Sequence, residues 1–155
     1  MAHAVLISIR PEWCDLIASG HKTLEIRKSR PSRSAPFKCY IYCTSSRHYT
    51  FSGKAKPSPG VIPGKIIGEF LCSWILPISI KYSDPNSPIA QHKYPYTAMT
   101  DKEIIDYLGN GVMGQAWHIT ELKIYKEPKE LSVFGLRRPP QSWRYVDDAL
   151  LRSRL

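Results

Sequence analysis

Residues 11–28, PEWCDLIASGHKTLEIRK, change their hydrophobic period within a single turn. From Pro11 to Ser19, Trp13, Leu16 and Ile17 fall at helical spacing. Pro11 stands where a first helical turn tolerates it, and Glu12 and Asp15 suit the positive end of a helix. Ser19 and Gly20 stop that helix. Thr23 to Lys28 then alternates, with Leu24 and Ile26 on one strand face and Thr23, Glu25 and Arg27 on the other. Lys22 sits at the mouth of the turn, where it need not follow the pleat. The chain is thereby committed to a helix–turn–strand corner that gathers a cation, a carboxylate and a guanidinium. Two readings are open: a solvated strand face with ordinary ion pairs, or convergence of Lys22, Glu25 and Arg27 on one polar ligand.

The other segments are shorter arguments of the same kind. Ala4–Ile9 is an apolar strand, and Phe37–Thr44 a second, with Cys39 and Cys43 on one face and Tyr40 and Tyr42 on the other. Lys65–Leu76 is the most strand-like run; Gly68 inside it predicts a bulge or a close backbone approach, and Glu69 either faces a cleft or pairs with a cross-strand cation. Thr100 opens a helix through the capping box TDKE, with Ile104, Ile105 and Leu108 inward and Gly109-Asn110-Gly111 as its stop. Gln115–Tyr125 alternates as a strand, with His118 expected as a hydrogen-bonded strand histidine, and Pro128 should break the run. Leu131–Leu136 is expected to return to the sheet, Ser142–Val146 to form a last strand, and the tail carrying Arg152 and Arg154 to form a short amphipathic helix. The connecting loops are Ser29–Pro36, Ser45–Gly64 and Lys81–Tyr96.

Short strands, two modest helices and long loops predict an α+β protein with an antiparallel or mixed sheet, best satisfied by a small barrel with helices at its openings. A βαβα rhythm and a glycine-rich phosphate loop are both missing, so a Rossmann or P-loop fold is not expected. At 155 residues the expectation is one domain over 1–155. No apolar run reaches the roughly 18–20 residues of a membrane span, and MAHAVLISIR lacks the features of a secretory signal. Cys14, Cys39, Cys43 and Cys72 form no CxxC pair and lack zinc-ligand spacing, so they read as buried free thiols in a reducing cytoplasm. No metal and no cofactor is expected.

Charge narrows the function. His21 through Lys65 holds ten of the 22 basic residues and a single acid, Glu25, so that segment accounts for the whole net charge of +9. Such a local field favours polyanions, nucleic acid ahead of anionic lipid. In the Ser45–Gly64 loop, Arg47, His48, Tyr49 and Phe51 place aromatics among cations, which suits base stacking beside phosphates; a mobile insertion is the other reading. The expected binding residues are Lys22, Thr23, Glu25, Arg27, Lys28, Arg30, Arg33, Arg47 and Tyr49, with RNA or single-stranded nucleic acid as partner on the charge. A carboxylate accepts from an exocyclic amine and a lysine donates to a carbonyl, so Lys22 and Glu25 suit a base edge. In a catalytic alternative, Lys22 and Glu25 serve a metal-independent hydrolase, with a charged Lys22 stabilising an oxyanion and Glu25 activating water.

The apolar strand and short helix before Gly20, followed by Gly20-x-Lys22-x-x-Glu25-x-Arg27 and the later IIGEF (Ile66–Phe70), resemble the ASCH domain family of the PUA-like β-barrel superfamily. The resemblance spans residues 4 to about 126 and leaves 127–155 as an unplaced C-terminal extension. It implies a barrel with a cleft beside the turn and a role in binding RNA or modified nucleobases, which adds a modified nucleoside to the expected partners. Some relatives are ribonucleases, and others remove an acyl group from acetylcytidine with a lysine that Lys22 matches. Those amidohydrolases place a threonine where this chain has Glu25, and their acid has no clear match among Asp101 and Glu103.

Overall fold

A computed structural model describes residues 4–45, 58–149 and 151. Six strands form one mixed sheet: β1 (Ala4–Ile9), β2 (Leu24–Arg27), β3 (Phe37–Cys43), β4 (Lys65–Ile78), β5 (Gly114–Lys129) and β6 (Trp143–Val146), in the order β2-β5-β4-β3-β1-β6. Only β1 and β3 run parallel; the other neighbours are antiparallel. Helix α1 (Pro11–Ala18) lies in the connection from β1 to β2, and α2 (Asp101–Leu108) precedes β5. The α+β class and mixed sheet are as expected, but the sheet is not closed: β2 and β6 share no ladder. Arg27, at the end of β2, reaches across to the other end of the order, donating to Ser8 O of β1 at 2.6 Å and lying 3.3 Å from Ser142 Oγ just before β6.

Alternation divides the buried side chains. Val5, Ile7 and Ile9 pack with Cys39, Ile41, Cys43, Phe70 and Trp117, while Ala4 and Leu6 pack with Tyr40, Tyr42 and Ile66 on the other face. Leu24 and Ile26 join Ile104 and Met99 in a third cluster, which seats α2 beside β2. All four cysteines are buried free thiols. Gly68 is both a bulge neighbour and a close approach: a Cβ there would lie 2.3 Å from Lys123 O. The capping box of α2 is complete, Thr100 accepting from Glu103 N while Glu103 accepts from Thr100 N.

Three expectations are corrected. Pro128 does not break β5, which runs on to Lys129 and pairs Lys129 with Ile66. The register slips between Ile66 and Gly68, so Pro128 falls where the ladder asks no donor of it. Leu131–Phe134 is a 3-10 turn and not a strand; Leu131, Val133 and Phe134 pack down on the Tyr40 face, a burial a returning strand would not supply. The loop over 81–96 contains a 3-10 turn at Pro88–Gln91. Arg47, Tyr49, His48 and Phe51, with Arg152 and Arg154, lie outside the described residues. Among the described residues no helix is long and apolar enough to cross a membrane.

Candidate functional site

The corner at Gly20 brings its three charged side chains together. Gly20 has φ +84°, a left-handed conformation that ends α1 and turns the chain toward β2. Lys22 Nζ lies 3.4 Å from Glu25 Oε1, and Arg27 Nη2 donates to Glu25 Oε2 at 2.9 Å. None of this is a solvated face: Lys22 is 1% exposed, Glu25 4% and Arg27 9%. The strand continues the pairing, with Glu25 opposite Trp117 and Arg27 opposite Gln115 of β5.

Each charge is held by groups from distant parts of the chain. Lys22 Nζ donates to Thr97 O at 2.6 Å and sits 5.0 Å from the centre of the Trp13 ring. The Thr97 carbonyl belongs to a turn in which Tyr96 (φ 65°) and Ala98 (φ 58°) take left-handed conformations that cost non-glycine residues energy. Tyr96 O in that turn accepts from both Thr23 N and Leu24 N, so the strained turn holds the entry to β2. Arg27 Nη2 also donates to Ser8 O, and Nη1 lies 3.3 Å from Ser142 Oγ. Glu25 Oε1 further accepts from Ile26 N at 3.2 Å.

Burial pushes the Lys22 ammonium below the ordinary lysine value, with Glu25 pulling the other way. Burial would raise the Glu25 carboxyl, but the adjacent Lys22 and Arg27 hold it below the usual carboxylate range. Glu25 is therefore an ionised acceptor whose oxygens are already engaged.

Above this cluster opens a cleft of about 630 Å³. Glu25, Arg27 and Ser8 are its buried polar lining, beside buried Ile26 and Met99, with Trp13, Arg10 and Tyr107 among its walls. Its charges are mixed: Arg10 and Arg27 face Glu25, Glu103 and Asp106. Asp106 is paired with Lys102, and Glu103 is used in the cap of α2. Pro140, Gln141 and Ser142 complete the rim, so the segment before β6 walls the same cleft. Lys22 does not line it. Burial raises the Tyr107 phenol above its ordinary value, and Lys28 Nζ stands 5.2 Å from that ring.

No protein-family model matches this sequence, and no curated protein does. Its backbone is similar to solved structures from Zymomonas mobilis. The ASCH protein of that organism superposes with a TM-score of 0.66 at 20% identity, over 97% of this chain and 92% of that one. A tyrosine-to-phenylalanine mutant of it gives 0.66 at 19% identity, over 97% and 95%. A serine-to-alanine mutant gives 0.66 at 18%, over 98% and 94%. The chain has the ASCH fold. At 97–98% coverage of this chain, the likeness extends beyond residues 4–126, over which the sequence resembles the family.

In this ASCH fold the expected residues divide. Glu25 and Arg27 reach the cleft, and Lys28 stands at its edge against Tyr107. Lys22 braces the cluster from behind, and Thr23 serves through its backbone, its N–H donating to Tyr96 O and its carbonyl accepting from Ile119 N. Arg30 and Arg33 are exposed and outside the lining. Lys38 and Lys65, counted in the basic segment, are paired with Glu69 and Glu130. Asp101 bonds the Tyr82 hydroxyl, whereas Glu103 lines the cleft. Sequence reasoning missed Ser8, Arg10, Ser142 and Tyr107, and gave Trp13 only a place at helical spacing. Tyr107 carried a usable signal, since it lies four residues after Glu103 and so on one face of α2. Among the described residues no three His, Cys, Asp or Glu side chains gather as a metal-ligand set.

Proposed function

We propose that this ASCH-fold protein binds single-stranded RNA by taking one base, ordinary or modified, into the cleft over Glu25 and Arg27. The observation that carries the reading is a cleft of nucleoside-compatible size with an ion-paired polar floor and two aromatic walls, Trp13 and Tyr107. Glu25 is held ionised as a hydrogen-bond acceptor, and Tyr107 offers a ring for stacking and a neutral hydroxyl. The mixed lining suits a base more than a phosphate, so the backbone of the strand belongs outside, near Lys28, Arg30 and Arg33. The likeness to ASCH structures agrees with this reading at the level of fold.

Binding is better supported than hydrolysis, because Lys22 donates to Thr97 O behind the cleft and the Glu25 carboxyl, held below its ordinary value by Lys22 and Arg27, is a weak base for activating water. Titration of cytidine and N4-acetylcytidine, followed by NMR, tests both. The Trp13 indole resonance should shift on titration, and Tyr107→Ala should weaken binding about tenfold, as loss of one stacking contact does. An unmoved Trp13 resonance at millimolar nucleoside would sink the proposal. Release of cytidine from acetylcytidine, abolished by Lys22→Ala, would replace binding with catalysis.

A further inference from the structure

The walls of the cleft differ in sign. Helix α2 presents Glu103, Asp106 and Tyr107 to it, whereas α1 and the residue before it present Trp13 and Arg10. Most of the lining charge is already answered. Glu25 is paired with Lys22 and Arg27, and Asp106 with Lys102. One Glu103 oxygen accepts from Thr100 N in the cap of α2. Arg10 is the exception among the cations. It is exposed, and among the described residues its guanidinium has neither an ion pair nor a hydrogen bond.

The backbone of Arg10, by contrast, is fixed. It follows the last residue of β1 and is the N-cap of α1, with φ −65° and ψ 149°. Its carbonyl accepts from Trp13 N at 3.1 Å and from Cys14 N at 2.9 Å. Ser8, two residues earlier, donates through its N–H to Ser142 O and through its hydroxyl to Pro140 O, while its carbonyl accepts from Arg27. A free guanidinium therefore stands on a rigid root at the cleft wall. Glu12, the nearest acid in sequence, is outside the lining, and residues two apart at a helix start do not face each other.

We propose that Arg10 binds the phosphate of the nucleotide whose base occupies the cleft, so that the site takes a nucleotide in preference to a free nucleoside. The inference rests on the base-binding reading of the cleft and adds the residue that orients the strand in it. Arg10 and Trp13 are three residues apart, where side chains start about 5–6 Å from each other. A base stacked on Trp13 carries its phosphate at a comparable reach, one sugar away. The carboxylates of the α2 wall repel that phosphate and turn it toward α1. A guanidinium meets phosphate oxygens through two parallel N–H donors. The apolar surface of Trp13, Ile26 and Met99 thins the water around such a pair and strengthens it. Because Arg10 is exposed, the phosphate stays at the rim, and Lys28, Arg30 and Arg33 are left for neighbouring phosphates of the strand.

The test is titration of cytidine and of cytidine 5′- and 3′-monophosphate at low salt, read on the Trp13 indole resonance. At least one monophosphate should bind wild type about tenfold more tightly than cytidine, as a charge-assisted hydrogen bond allows. Arg10→Ala should abolish that difference, and Arg10→Lys should keep part of it, since lysine meets phosphate as a point charge. Arg138→Ala removes the same charge from an exposed position outside the lining and should preserve the difference. Equal affinity of wild type for cytidine and both monophosphates would overturn the Arg10 assignment and leave the base reading in place. So would a difference that Arg138→Ala erases as fully as Arg10→Ala does, because it would then come from the net field. If cytidine fails to bind while a monophosphate binds through Arg10, the base reading fails and the phosphate contact stands. No shift with any of the three ligands overturns both.

Discussion

Glu25→Ala is expected to destabilise the fold by about 3–5 kcal/mol, the cost of removing one partner from a buried ion pair. The reason lies in what is left behind. Lys22 and Arg27 are both buried, and each uses Glu25 as its only carboxylate partner among the described ion pairs. With Glu25 gone, two cations of like sign remain close together in a site that water barely reaches, held only by uncharged groups: two backbone carbonyls, the Ser142 hydroxyl and the Trp13 ring. Urea unfolding monitored by circular dichroism measures the change in midpoint. A loss under about 1 kcal/mol would show that solvent already screens the cluster.

The same residue sets an acid limit. Its folded carboxyl lies below the ordinary glutamate value of about 4.3, so its contribution is fully present above that value. It is lost as pH falls through the depressed folded value, where protonation strands Lys22 and Arg27. Stability measured from pH 6 downward should therefore fall in acid, and Glu25→Gln should flatten that fall while lowering stability at pH 6.

Trp117→Ala is the second large expectation, about 3–5 kcal/mol for a fully buried tryptophan. Trp117 joins β2, β3, β4, β6 and the loop after β2. It stands opposite Glu25 in one ladder and Ile75 in the other, and meets Phe37 edge-on at 5.8 Å. It lies 5.9 Å from Trp143 of β6, and its indole N–H holds Ser29 O. A protein of this size loses roughly 2–4 °C of Tm per kcal/mol, so a fall on the order of 10 °C is the calorimetric signature. Trp117→Phe keeps the ring contacts and should cost less than half as much. A Tm within 2 °C of wild type for Trp117→Ala would mean that the sheet ends do not depend on this contact.

Much of the fold follows from local pattern. The apolar runs read at Ala4–Ile9 and Phe37–Thr44 become β1 and β3, with the two tyrosines and two cysteines of β3 on opposite faces as read. The capping box starts α2 at its expected residue because both of its hydrogen bonds span three residues. Gly68 was legible as a close approach, and the Glu25–Arg27 contact follows from their sharing a strand face two residues apart. Pro128 and Leu131–Phe134 were misread for one reason. A slipped register and a packed 3-10 turn depend on what lies across from the segment, and local composition does not record that.

The sequence alone determined the helix–turn–strand corner, the charges it carries and the strand faces they occupy, since these depend on bonds and periods within about ten residues. The tertiary structure decided that those charges are buried, that Thr97 and Ser142 hold them, and that the cleft lining is mixed in sign. Ser142 meets Arg27 across 115 residues because the sheet curves until β2, at one end of its order, faces β1 and the segment before β6 at the other. Contacts of that range are fixed by the sheet order and the burial it imposes, and no local period encodes either.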